Sequence, residues 1–228
     1  MRAPAFWQGP RPDWRAMCLW PLSLIYGAAA RSRFARAPSY SASVPVICIG
    51  NPTVGGSGKT PMAILTARCL EALGRRPVFL SRGYGAAVAV PTVVDPATHT
   101  AAEVGDEPLL LARVAPAVVS PDRAACARLA ETLGDVIVMD DGFQNPTLHK
   151  DLSLLVVDAG YGAGNGYCLP AGPLRLPLGP QLDRAQGIVV VGEGDRAEPV
   201  AERAHRNGLP VLRGTVAADP SMTAAIGG

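Results

Sequence analysis

One run of residues, VPVICIGNPTVGGSGKT at 44–60, constrains the fold of this chain more than any other. Residues 44–49 form a β-branched, apolar stretch that ends at Gly50. A glycine-rich loop comes next, and GKT then opens a segment with helical periodicity. Met62, Leu65, Cys69, Leu70 and Leu73 stand close to helical spacing before Gly74 stops the pattern. A phosphate chain is held by backbone N–H groups converging from a tight turn, and Gly55, Gly56 and Gly58 permit such a turn. The helix start adds partial positive charge. Lys59 is placed to reach β- and γ-phosphates, and the Thr60 hydroxyl to bind Mg²⁺. Pro61 fits the first helical turn, where a missing N–H costs nothing. Thr53 occupies the first glycine position of GxxxxGK[ST], so the match keeps the functional end of the motif. The candidate nucleotide contacts are therefore Thr53, Val54, Gly55, Gly56, Ser57, Gly58, Lys59 and Thr60. The plainer alternative is a glycine-rich turn with no ligand.

The rest of the chain reads as short apolar strands (78–80, 118–119, 136–139, 152–157, 188–191, 211–216) with helices at 121–133 and 197–206. Fully apolar strands alternating with helices imply a parallel sheet covered on both faces, an α/β fold of the P-loop NTPase kind. With 228 residues, 48% apolar and 18% charged, the chain is too apolar to be disordered and holds one domain or at most two small ones. A net charge of +2 leaves no global electrostatic footprint for nucleic acid. Five cysteines without CxxC spacing and three isolated histidines argue against a disulfide scaffold or a zinc site. The Gly- and Pro-rich stretch 160–180 is too long for a simple connector, and loops of that size are functional or disordered.

A second chemical signal is VIVMDD, in which four apolar residues precede Asp140 and Asp141. A buried strand ending in aspartate sets a carboxylate beside a phosphate loop, as a Walker B acid does. Adjacent side chains on a strand point to opposite faces, so one carboxylate faces the metal and the other is left to hold the lysine or the loop. A simple strand-ending DDG turn is the alternative. Among 21 cationic residues only Lys59 and Lys150 are lysines, which makes a lysine at a demanding position conspicuous.

Residues 1–43 differ from the rest of the chain. They carry six arginines (Arg2, Arg11, Arg15, Arg31, Arg33, Arg36) and one acid, Asp13. The fifteen uncharged residues between Arg15 and Arg31 would make a helix of roughly 22 Å, short of a ~30 Å hydrocarbon core. Pro21 is predicted to interrupt it. Trp20 and Pro21 also argue against a secretory signal. The expectation is an interfacial helix with Trp7, Trp14, Trp20 and Tyr26 at headgroup level and arginines on anionic lipid. A helix packed on the adjoining domain is the alternative. The chain thus divides into an anchoring segment, 1–43, and a nucleotide-binding domain, 44–228.

GNPTVGGSGKTP, LSRGYG (80–85), VGDEP (104–108), DDGFQNPTLHKDLSLLVVD (140–158) and LPAGPLR (169–175) succeed one another in that order. Together they resemble the tetraacyldisaccharide 4′-kinases of lipid A biosynthesis, over nearly the whole chain. The resemblance implies transfer of the ATP γ-phosphate, with Mg²⁺, to the 4′-hydroxyl of a tetraacylated glucosamine disaccharide 1-phosphate, giving lipid IVA. It implies a peripheral enzyme on the cytoplasmic face of the bacterial inner membrane, with a lipid A precursor as substrate and no obligate protein partner. It also implies that Asp106 is the acid that activates the sugar hydroxyl, beside the phosphate-binding Lys59. Glu107, Asp140, Asp141 and Gln144 are then candidates for metal and γ-phosphate contacts, with Thr60. Arg82 is a candidate for phosphate charge, and Asn165 and Arg175 for the acceptor side. Without the resemblance, GDEP reads as a helix start capped by Asp106.

Two departures stand out. After LPAGPLR the family pattern continues Glu-Pro, whereas this chain has Leu176-Pro177. Family members also run about a hundred residues further, into a DHH-type motif whose histidine partners the catalytic Asp. His99, His149 and His205 do not stand in it. The chain is therefore expected to be truncated, with its own activity in question. The competing readings are a membrane-associated regulatory P-loop ATPase and a nucleotide-binding remnant without turnover.

Overall fold

The computed structural model describes residues 3–9, 13–83, 85 and 87–217. Arg2 and Arg11, two of the six N-terminal arginines, lie outside the described residues, as does Tyr84 of LSRGYG.

Eight strands form one sheet: β1 (Val46–Gly50), β2 (Pro77–Ser81), β3 (Thr92–Val93), β4 (Ala117–Val119), β5 (Val136–Asp140), β6 (Leu152–Asp158), β7 (Gly187–Val191) and β8 (Val211–Gly214). Their order is β3-β4-β2-β5-β1-β6-β7-β8. All neighbours pair in parallel except the edge strand β3, which is antiparallel to β4. The expected parallel sheet is present, with β3 as an addition that its two residues were too short to signal. Strand order turns at β1, between β5 and β6, so the C-terminal ends of β1 and β5 form the crevice where ligands bind in open α/β sheets.

The strands are apolar because both faces are covered. Ile137 and Met139 of β5 enter one core with Val78, Leu80, Leu155 and Val157, while Val138 enters the other with Phe79 and Val156. The first core is closed by α1 (Trp14–Phe34), α5 (Arg123–Ala130), α6 (Leu178–Leu182) and α7 (Glu198–Arg206). The second is closed by α2 (Lys59–Ala72), α3 (Ala101–Val104) and α4 (Asp106–Ala112). Helix α5 is shorter than the expected 121–133 because Asp122 caps it, its carboxylate accepting from the N–H groups of Ala124 and Ala125. Short helices α3, α4 and α6 carry too few turns to show a period.

Helix α1 corrects one expectation. Pro21 lies inside it without ending it, and its 21 residues extend about 31 Å. Packing on both sides of the proline holds the helix where the lost N–H cannot. The helix packs on the domain that follows it, since Ala30 and Phe34 belong to the first core. The buried face is lined by small residues, Ala16, Ser23, Gly27 and Ala30, and closed by Phe34. The opposite face exposes Trp14, Met17, Leu22 and Ile25, while Trp20 and Leu24 are exposed along the margin of the buried stripe. Large apolar residues thus face outward and small ones inward. Of the four aromatics expected at a lipid surface, Trp14 and Trp20 are exposed, whereas Trp7 and Tyr26 are half-buried against the domain. Among the described residues no helix is long and apolar enough to cross a membrane.

Candidate active site

The loop after β1 adopts the turn its glycines allow. Gly55 and Gly58 have φ of 117° and 79°, in the left-handed region that a side chain disfavours, and Gly58 is the N-cap of α2. Among the described residues, no N–H from Gly55 to Gly58 donates to a protein acceptor. Four consecutive free amides ahead of a 14-residue helix form an anion cradle. Ser57 is buried there, and its hydroxyl has no partner. The front of the loop is engaged differently. The Val54 N–H donates to the Pro173 carbonyl at 2.9 Å, and the Thr53 carbonyl accepts from Arg175 Nε at 3.0 Å. Thr53 and Val54 therefore brace the loop against residues 173–175, and the free donors begin at Gly55.

The Lys59 side chain is buried and folds back over the loop, its ammonium 3.4 Å from the Gly55 carbonyl and 3.9 Å from Asp141 Oδ1. Thr60 Oγ1 donates to Asp140 Oδ2 at 3.1 Å. Asp140 ends β5 and is 1% exposed, and its Oδ1 is buried with no partner. Burial, together with the nearby charges of Glu107 and Asp141, pushes its pKa up to about 7. A buried carboxylate held in that state is built for a positive charge. Asp141 has φ of 51° and turns away from its neighbour. Arg175 grips it with both guanidinium arms, at 2.9 and 3.2 Å. The two adjacent carboxylates thus divide their roles: Asp140 meets Thr60, and Asp141 meets Lys59 and Arg175.

Arg175, expected on the acceptor side, is engaged with the phosphate loop through the Thr53 carbonyl and with Asp141. Asn165 lines the cavity between α1 and the 160–180 loop, where its amide donates to the Phe6 and Ala171 carbonyls and its Oδ1 accepts from the Tyr167 N–H. Gln144 donates to the Asn51 carbonyl and to Gln181 Oε1, tying the start of the loop to α6. Asp106 and Glu107 are exposed at the first turn of α4, and the N-cap is Gly105, not Asp106. Because α4 packs on β4 and β2 in a crossover between parallel strands, this turn faces the C-terminal edge of the sheet. The influence of Glu107 on Asp140 places both in one field. Among the described residues no three His, Cys, Asp or Glu side chains converge tightly enough to hold a metal unaided.

Arg123 was missed by sequence reasoning. It is 3% exposed, its Nη1 donates to the Ser120 carbonyl at 2.7 Å, and its buried Nε has no partner. Burial lowers its pKa, and the nearby Arg82 charge adds to the effect. The exposed Arg82, just after β2, and Arg123, just after β4, thus add positive charge at the same edge as Asp141. The available signal was an arginine in the first turn of α5, where the helix dipole disfavours a cation.

A second concavity lies beside the phosphate loop. Trp20, Ser23, Leu24 and Gly27 of α1 face the 160–180 loop across a cavity of about 1000 Å³. Arg31, Arg196 and Arg203 line it, and among the described residues none of the three has a carboxylate within ion-pair distance. Tyr161 brings in a hydroxyl that is buried without a partner. The loop closes onto α1 through Ser23 Oγ, which donates to the Cys168 carbonyl at 2.8 Å. Its far end, residues 173–175, is the segment that braces the phosphate loop.

Comparison with known proteins shows the family. The model of the tetraacyldisaccharide-1-P 4′-kinases (LpxK) matches residues 15–226. A tetraacyldisaccharide 4′-kinase of Methylobacterium sp. (strain 4-46) is 53% identical over 229 residues, covering 100% of this chain and 69% of the relative. That of Azorhizobium caulinodans is 54% identical over 226 residues, covering 99% and 66%. The crystal structure of LpxK from Aquifex aeolicus in complex with ATP superposes with a TM-score of 0.67 at 33% identity, over 77% of this chain and 58% of that one. The chain spans about two thirds of the length of the curated relatives it matches.

Proposed function

The chain belongs to the tetraacyldisaccharide-1-P 4′-kinase family, and from that premise we propose that it carries the phosphoryl-transfer site of an ATP-dependent lipid kinase, with the 4′-hydroxyl of a tetraacylated disaccharide 1-phosphate as acceptor. One observation carries the reading: the free amides of Gly55–Gly58 adjoin Thr60, which is bonded to the buried Asp140. Phosphoryl transfer is mostly positioning and charge stabilisation, and these groups supply both. The amides and Lys59 hold the β- and γ-phosphates of ATP. Arg175 and Asp141 fix where Lys59 stands.

The residues fit Mg²⁺, because Asp140 Oδ1 is a buried acceptor without a donor and Thr60 adjoins the same carboxylate. Asp140 and Thr60 would hold the ion, with phosphate oxygens and water completing its shell. When bound, the cation neutralises charge on the phosphate oxygens. The exposed carboxylate of Asp106, in the first turn of α4, would accept or orient the hydroxyl proton. Arg82 and Arg123 add positive charge there.

The acceptor belongs in the cavity between α1 and the 160–180 loop. Its apolar walls suit acyl chains, and the arginines suit an anionic headgroup. The outward face of α1, with Trp14, Met17 and Ile25, is the surface that meets anionic lipid on the cytoplasmic face of the inner membrane.

The test is an assay with γ-³²P-ATP and the disaccharide 1-phosphate. Radiolabel appearing in the lipid is the expected result. Hydrolysis independent of lipid would favour a regulatory ATPase. Binding without turnover would favour a nucleotide-binding remnant. Flotation with anionic vesicles checks the membrane reading, and a chain that stays with the soluble fraction contradicts it.

A further inference from the structure

Phe143 has no role in the chemistry above, yet it stands where three parts of the molecule meet. It is 2% exposed and comes just after Asp140 and Asp141 in the turn that leaves β5. Its ring packs on Phe34, the last residue of α1, with centroids 5.4 Å apart. Its Cβ lies against Gly50, the last residue of β1, where any side chain would collide with it. Its carbonyl accepts from the Lys150 ammonium at 3.3 Å, and the same ammonium donates to the Asn145 carbonyl. Arg184 closes the assembly from outside, its guanidinium 4.5 Å from the centre of the Phe34 ring and donating to the Phe34 carbonyl.

Lys150 is the second of only two lysines in the chain. Among the described residues no carboxylate lies within ion-pair distance of it. Its charge is directed entirely at the carbonyls of this turn. Burial pushes its pKa down, as for an ammonium kept from water by these contacts. The turn needs such support, because Asp141 sits at a φ of 51° that residues with a Cβ rarely adopt. It is otherwise held to β1 by the Asp141 N–H on the Ile49 carbonyl at 3.0 Å and by Gln144 on Asn51.

We infer that Phe143 is a positioning residue for the metal–phosphate site, wedged between α1 and the end of β1 and pinned by Lys150, so that α1 sets the affinity for Mg·ATP as well as meeting the acceptor. The contact runs from the helix to the turn bearing both carboxylates, and from the same ring to the residue that opens the phosphate loop. A small shift of Asp140 relative to Thr60 changes what a cation would find there, while the amide cradle of Gly55–Gly58 stays intact.

The inference rests on the nucleotide reading, and the experiment separates the two. ATP affinity of the purified chain is measured by calorimetry in EDTA and again with Mg²⁺, and the ratio is the gain conferred by the metal. Phe34→Leu and Lys150→Met are each expected to leave the affinity in EDTA unchanged and to reduce that gain by about tenfold, the scale of one weakened charge-assisted contact. Val136→Ala, at the opposite end of the strand that carries Asp140, lowers stability without touching the turn and should keep the full gain. If Phe34→Leu does not fold, Lys150→Met, which leaves the aromatic packing in place, carries the test. Gains equal to that of the unsubstituted chain, with only the melting temperature lowered, would reduce Phe143 to core packing and overturn the inference. Absence of ATP binding by the unsubstituted chain would overturn the nucleotide reading itself, and this inference with it.

Discussion

The phosphate-loop edge and the α1 face use the same twenty amino acids under opposite rules. At the C-terminal edge of β1 and β5, polar groups are buried and left incomplete: Asp140 Oδ1, Ser57 Oγ and Arg123 Nε have no partner. On α1 the apolar groups are left incomplete instead, with Ile25 69% and Trp14 68% exposed while Ala16 is fully buried. Each departure has a cost in water: unpaired buried polar atoms at one site, exposed apolar area at the other. A ligand removes the first cost and an apolar surface the second. Both regions are therefore incomplete, each in the way that its proposed partner would complete.

The sharpest way to break this contrast is at Lys59. Lys59→Ala removes the one lysine charge at the cradle and should weaken Mg·ATP binding by about 100-fold or more. The fold should survive, as checked by calorimetry alongside a thermal melt. Unchanged affinity would mean that the free amides of the loop serve no phosphate.

A smaller effect is expected at Arg175. Arg175→Ala frees Asp141 and the Thr53 carbonyl together, so turnover should fall by roughly 10–100-fold. Arg175→Lys should recover little, because one ammonium cannot replace a two-armed grip. Parallel kcat and KM measurements on both variants check this.

Asp140 gives a pH signature in the absence of metal. Its folded pKa of about 7 lies above the ordinary 3.8, so the folded chain binds that proton more tightly than the unfolded one. Stability from this group is full below about pH 4 and is lost as pH rises through 7. Asp140→Asn in EDTA should therefore stabilise the chain by roughly 2–4 kcal/mol at pH 8 and by almost nothing near pH 4. Denaturant melts at the two pH values test the sign. Mg·ATP should stabilise the unsubstituted chain more than the variant.

The smallest effect on the fold belongs to the other region. Trp14→Ser with Ile25→Ser should change stability by no more than about 0.5 kcal/mol per site, because both side chains already stand in solvent. Flotation with anionic vesicles should nonetheless drop. High salt should weaken the unsubstituted chain only in part, since apolar insertion remains after screening.

Much of the phosphate edge was legible in the sequence because its groups are close along the chain. GGSGKT places four amides, an ammonium and a hydroxyl within one turn, and VIVMDD places two carboxylates at one strand end. Covalent geometry and helix polarity act over such distances without help from the rest of the molecule. The family motifs extended this reading to Asp106 and Arg82. What the sequence alone could not decide was any pairing across long separations. Arg175 reached Asp141, 34 residues away. Gln144 and Asn165 turned to main-chain carbonyls, and Arg123 became a buried cation. Helix α1 ran through Pro21 because contacts distant in sequence, such as Ser23 with Cys168, hold it on both sides. Local chemistry is set by neighbours along the chain. Which face of a helix is buried, and which carboxylate an arginine finds, depends on the layer packed against it, and that layer exists only once the sheet has formed.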